Sequence, residues 1–96
     1  MSVDQRERTA AVVLGEDLAE LLSDLDTASQ AIGEARSSAR MLGKRTGHDL
    51  TLRAGRQAAQ ALGTIDQLSI EPARRLIEER LEELDNVYGI SEAVKW

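Results

Sequence analysis

Apolar residues recur along the first half of the chain at Ala11, Leu14, Leu18, Leu21, Leu25, Ala28, Ile32, Ala35, Ala39 and Leu42. The steps alternate between three and four, the spacing of a helix that packs along its length against others. This predicts one helix over about residues 4–42. Gly15 and Gly33 each cost about 1 kcal/mol in propensity but leave the period intact. Ser2 or Asp4 is placed to cap the helix, and Glu7, three residues after Asp4, completes a capping-box pattern. The two halves differ. From Ala11 to Leu25 the stripe is broadened by Val12, Ala19 and Leu22, whereas residues 27–39 are small or neutral nearly throughout. A wide face suits several packing neighbours, and a small-residue surface lets backbones approach closely.

Two glycines bracket polar residues over 43–47, which predicts a turn with Gly43 as the helix C-cap. A second helix over about 48–68, starting at Thr46 or Asp49, carries Leu50, Ala54, Ala58, Ala61, Leu62, Ile65 and Leu68 at helical spacing. Gly55, Ala59 and Gly63 form a line of small residues on a neighbouring face. Ser69-Ile70-Glu71-Pro72 restarts the count, because Ser is a good N-cap and Pro fits only a first helical turn. A third helix over about 70–87 then has Ile70, Ala73, Leu76, Ile77, Leu81, Leu84 and Val87 or Tyr88 inside. Its outer face is Arg74, Arg75, Glu78, Glu79, Arg80, Glu82 and Glu83, and Gly89 closes it. The tail, residues 88–96, has room for one turn from Ser91.

The second and third helices together are about as long as the first. The expected fold is therefore all-α, a single helical domain over residues 1–96: an antiparallel helical hairpin of one long helix against two shorter ones, with a break near Ser69. Composition adds a reason for association. The 96 residues are 2% aromatic with no Phe, and the 42% hydrophobic share leans on Ala and Leu, so each buried position removes little apolar area from water. A second copy would complete a bundle where the first helix is broadest, with Leu14, Leu18, Leu21, Leu22 and Leu25 as the interface.

Charge narrows the partners. The net charge of −5 argues against wrapping nucleic acid or lying on an anionic membrane. Around the turn, however, the six cations Arg36, Arg40, Lys44, Arg45, Arg53 and Arg56 face only Asp49, a local excess of five positive charges. Glu16, Asp17, Glu20, Asp24 and Asp26, with Glu78 to Asp85, should make the opposite end acidic. A basic tip and an acidic base invite head-to-tail association, or docking of the tip on phosphate or an acidic protein surface. Cations near a helix C-terminus also complement its dipole without any partner. No aromatic residue lies near the tip to stack on a base, which leaves nucleic acid the lesser alternative.

Catalytic chemistry finds no foothold. There is no Cys, so neither a disulfide framework nor a thiolate site exists, and His48 is the lone histidine, an exposed turn residue by position. Glu16 with Glu20, and Glu79 with Glu82, fall on polar faces where solvated carboxylates are the simplest reading. Ser38 replaces the first glycine, and Arg45 the hydroxyl residue, of a phosphate loop around Gly43-Lys44. No metal, no cofactor and no enzymatic activity are expected. No apolar run approaches the ~20 residues that span a bilayer, and residues 1–8 are polar with no signal-peptide core behind them. The expected setting is the cytoplasm or the interior of a virion.

Tyr88-Gly-Ile-Ser-Glu92 resembles the tyrosine-x-x-x-acid signal of the small helical-hairpin proteins exported by type VII secretion systems. Chain length and the mid-chain turn are similar too. The resemblance implies an exported helical hairpin, but the chain departs from it in lacking a Trp-x-Gly at residues 43–47 and in placing Pro72 within the second arm. The main expectation is a non-enzymatic assembly or adaptor protein, acting by helix packing as a homo-oligomer or as a subunit of a larger complex such as a viral particle or secretion apparatus.

Overall fold

The computed structural model describes residues 3–96, apart from the surroundings of Val3, Gly43 and Thr46. The chain is all-α: α1 spans Val3–Thr46, α2 Asp49–Ile65 and α3 Glu71–Tyr88, and one π-helical turn, Asp66–Ile70, joins α2 to α3. No strand occurs among the described residues. The Ser2 cap lies outside the described residues, and Thr46 is the last residue of α1, so of the two expected starts of the second helix it is Asp49 that opens α2. Asp4 sits inside the first turn of α1. Its carboxylate there meets the positive end of the helix dipole rather than capping it.

Two of the expected boundaries are corrected. The backbone stays helical through Gly43, and the chain turns only at Gly47 and His48. Gly47 has φ +64°, a conformation that only glycine adopts readily, so it and not Gly43 ends α1. The expected break at Ser69 is absent, and Ser69 caps nothing. Pro72 lacks an N–H, and its ring would strike the carbonyl four residues back in a regular α-helix. The turn before it is widened instead, with the Glu71 N–H donating to the Asp66 carbonyl five residues back. The helical path therefore passes Pro72 unbroken.

The chain divides into two compact units, one of residues 1–25 with 73–96, the other of residues 26–72. In the first, Ala11, Leu22, Leu81, Ile90 and Val94 form the core, and Val12, Leu18, Ala19, Ile77, Leu84 and Tyr88 pack around it. The tail supplies two of the five core residues, Ile90 and Val94. Gly89, at φ +65°, stops α3. The Asp85 carboxylate then accepts from the Ser91 N–H at 2.8 Å. Ala93 and Val94 donate to the Ile90 carbonyl, closing the single turn expected near Ser91. Ile90 and Val94, four apart, land on α1 at Gly15, where an added Cβ would lie 2.7 Å from Ile90 Cδ1 and 3.3 Å from Val94 Cγ2.

In the second unit the inward residues of α2 are Gly55, Ala59 and Gly63. The apolar line expected there faces solvent for the most part: Leu50, Ile65 and Leu68 are exposed, and so are Ala54, Ala58 and Ala61. Contacts to α1 explain the inversion. The Ser29 hydroxyl donates to Asp66 Oδ1 at 2.8 Å, and the Arg36 guanidinium lies over Gly63, with Cζ 3.1 Å from where a Cβ would stand. A larger side chain at 63 would displace the arginine.

The two mid-helix glycines of α1 should respond oppositely to substitution. Gly33 has nothing within 4 Å of an added Cβ, so Gly33→Ala should stabilise the protein by up to about 1 kcal/mol. Gly15→Ala should destabilise it despite the same gain in propensity, and Ile90→Val should recover part of the loss. Urea denaturation followed by circular dichroism reads all three. Equal stabilisation by both alanines would contradict the tail packing described above.

Candidate functional site

The seam of α1 is rotated from its expected position by one flank. Ala11, Leu18, Leu25, Ile32 and Ala39 point inward as expected, being buried or half-buried. The second inward line is Gly15, Leu22, Ser29 and Arg36, in place of Leu14, Leu21, Ala35 and Leu42. Hydrophobicity alone selected the leucines. Packing selected the residues that fit Ile90, Asp66 and Gly63.

The displaced residues form an apolar flank. Leu14 is 48% and Leu21 50% exposed, and Leu42 is exposed as well. In the first unit Leu14 borders a groove of about 460 Å³ lined also by Leu18, Leu84, Val87 and Tyr88. Val87 stands 71% exposed at its edge, while Arg80 and Glu83, paired at 3.0 Å, give the groove both signs of charge. Of the five leucines expected at an interface, Leu22 lies in the core of the chain itself at 7% exposure, and Leu18 and Leu25 are half-buried. Leu14 and Leu21 alone offer wide apolar surface outward. In the second unit Ala35, Ala39, Met41 and Leu42 line another apolar groove, with Arg45 at its rim.

The six expected tip cations part ways. Arg40 and Lys44 of α1 meet Arg56 of α2 around Leu52, lining a cleft of about 240 Å³. Arg36 turns inward onto Gly63, and its Nε is buried without a hydrogen-bond partner among the described residues. Arg45 belongs to the apolar groove, and Arg53 is exposed. Nothing in the spacing of the cations indicates that Arg36 packs as a flat plate on a glycine. The small-residue line at Gly55, Ala59 and Gly63 was the available signal.

His48 has a structural duty. Its Nδ1 accepts from the Leu50 N–H at 3.2 Å, capping α2 with extended backbone at φ −88°. Only an unprotonated ring nitrogen accepts this bond. Tyr88 is half-buried against the core and Glu92 is exposed on the tail turn. Of the two departures from the type VII pattern, the interruption at Pro72 disappears and the missing Trp-x-Gly at the turn stays. Among the described residues no three His, Asp or Glu side chains gather as a metal site, and no helix is long and apolar enough to cross a membrane.

The chain matches no protein-family model, no curated protein and no solved structure.

Because the cap fixes the start of α2, and with it Leu52 and Arg56, His48→Ala should cost about 1 kcal/mol in urea denaturation. His48→Asn, which keeps an acceptor at the cap, should cost less than half of that. Equal losses in the two variants would assign His48 some other duty.

Proposed function

We propose that the protein is a non-enzymatic assembly module that works by helix packing, with a second copy of itself as the primary partner. The observation that carries this reading is the apolar flank of Leu14 and Leu21 beside the groove bordered by Val87. In a core this thin, leucines half in water are a cost that association removes, at about 25 cal/mol for each Å² of apolar surface covered. A second copy fits because the face presents a leucine ridge beside a groove and carries one cation and one carboxylate, Arg80 and Glu83. Such a patch is complementary to itself across a two-fold axis. The hairpin arrangement of one long helix against two shorter ones, completed to a bundle by the partner, belongs to this reading. So does a place in a larger complex, such as a viral particle or secretion apparatus.

The test uses Leu14→Asp and Leu21→Asp, since both side chains are exposed enough to be changed without opening the core of the chain. Analytical ultracentrifugation should find the native protein as an oligomer, and each variant should raise its dissociation constant at least tenfold, about 1.4 kcal/mol, with helicity unchanged. A native protein that sediments as a monomer at every concentration, or variants of unchanged mass, would overturn the reading.

A further inference from the structure

The cleft of Arg40, Lys44 and Arg56 places three cations from two helices around Leu52. None of the three has an ion pair or hydrogen bond among the described residues. The one carboxylate between residues 35 and 65 is Asp49, which occupies the first turn of α2, where it complements the helix dipole. Three like charges held in one concavity repel each other, and an anion seated between them relieves that repulsion. The question is which anion.

Nucleic acid is the weaker fit. The second unit contains no Phe, Tyr or Trp to stack on a base, and the ring of His48 is engaged in capping α2. The net charge of −5 also repels a polyanion at a distance. The chain itself supplies a better match. Residues 1–25 with 73–96 carry twelve acidic against six basic side chains, whereas residues 26–72 carry five against six. On α1 in the acidic unit, Glu16, Glu20 and Asp24 recur every four residues, are exposed, and have no partner among the described residues. Arg40 and Lys44 repeat at the same interval on the same helix. Residues four apart on a helix stand about 6 Å from each other, so the carboxylate ladder and the cation ladder have equal pitch.

We infer that the Arg40–Lys44–Arg56 cleft receives the Glu16–Glu20–Asp24 face of a second copy of the chain. The contact is heterologous: the patch that binds differs from the patch that is bound, so each added copy leaves one cleft and one acidic face free for the next. It extends the assembly reading through a different surface, and the two contacts fail separately. The apolar flank holds in salt. The charged contact is exposed and screened, so it is weak and salt-dependent.

Sedimentation velocity on the intact chain at about 25 mM and about 300 mM NaCl, where screening differs severalfold, tests the inference. Association beyond the apolar oligomer should weaken at least about tenfold at the higher salt. Arg40→Glu with Lys44→Glu should abolish it, as should Glu16→Lys with Glu20→Lys in a separate protein. Mixing the two charge-reversed proteins should restore it, because each then offers the other one native cleft or one native ladder. Should the reversals disturb the fold by circular dichroism, Arg40→Gln with Lys44→Gln should still lower the association. Association that ignores both salt and reversal, or its absence at low salt, overturns the inference while leaving the Leu14 and Leu21 contact standing. A short single-stranded oligonucleotide that binds through Arg40 and Lys44 and finds no competition from the native acidic face overturns it as well.

Discussion

Ile90 takes the space that any side chain at position 15 would need. Leu81 and Ile90 are the largest fully enclosed side chains, so the contact across Gly15 holds a large share of what the first unit buries. Enclosing one such side chain stabilises by about 1.5–3 kcal/mol, which is considerable against the small net stability of a short chain. The rest follows from it. Gly89 must reverse the backbone, Asp85 must hold the Ser91 N–H, and the turn from Ile90 must close so that Ile90 and Val94 face the notch together.

The second unit is held differently. Ala59 is the one buried hydrophobic side chain in it among the described residues, and the inward positions of α2 are otherwise glycines. Close backbone approach, the Ser29 bond to Asp66 and the Arg36 plate on Gly63 take the place of an apolar core. Polar contacts of this kind contribute little net energy but penalise misalignment, since a shifted pairing leaves Asp66 or Arg36 without its site. Large apolar side chains that this arrangement excludes, Met41, Leu42, Leu50 and Leu68, are left in water. In this unit glycines therefore face inward and large apolar side chains outward.

Much of this was legible in the residues, and the limits have physical causes. The helical class, an end to the first helix before Asp49 and the tail turn follow from period, glycine and capping chemistry. The inward line of Ala11, Leu18, Leu25, Ile32 and Ala39 was readable as well. The companion line was not, because a hydrophobicity count always prefers Leu14 to Gly15 and Leu42 to Arg36, whereas packing rewards whichever residue complements its neighbour. The same bias hid the inner face of α2. The passage through Pro72 was misread because a proline signals interruption in sequence, and a single widened turn absorbs it without one. Of the basic tip, the meeting of Arg40, Lys44 and Arg56 was foreseeable from their spacing across the turn, but the withdrawal of Arg36 required knowing that Gly63 lies opposite.

The tail contact also bears on how the chain acquires its fold. Ser29 and Asp66 are 37 residues apart, and the contacts between them and the Gly47-His48 turn draw steadily shorter loops. Gly15 and Ile90 sit near the two ends of the chain. Closing a loop costs about 0.6 kcal/mol more for each doubling of its length, and non-local contacts are repaid only after that closure. The second unit can therefore zip outward from its turn, and each pair it forms shortens the loop that remains between Gly15 and Ile90. On loop-closure entropy the tail contact across Gly15 is therefore cheaper to make once the second unit has formed, and its cost falls with every pair that forms before it.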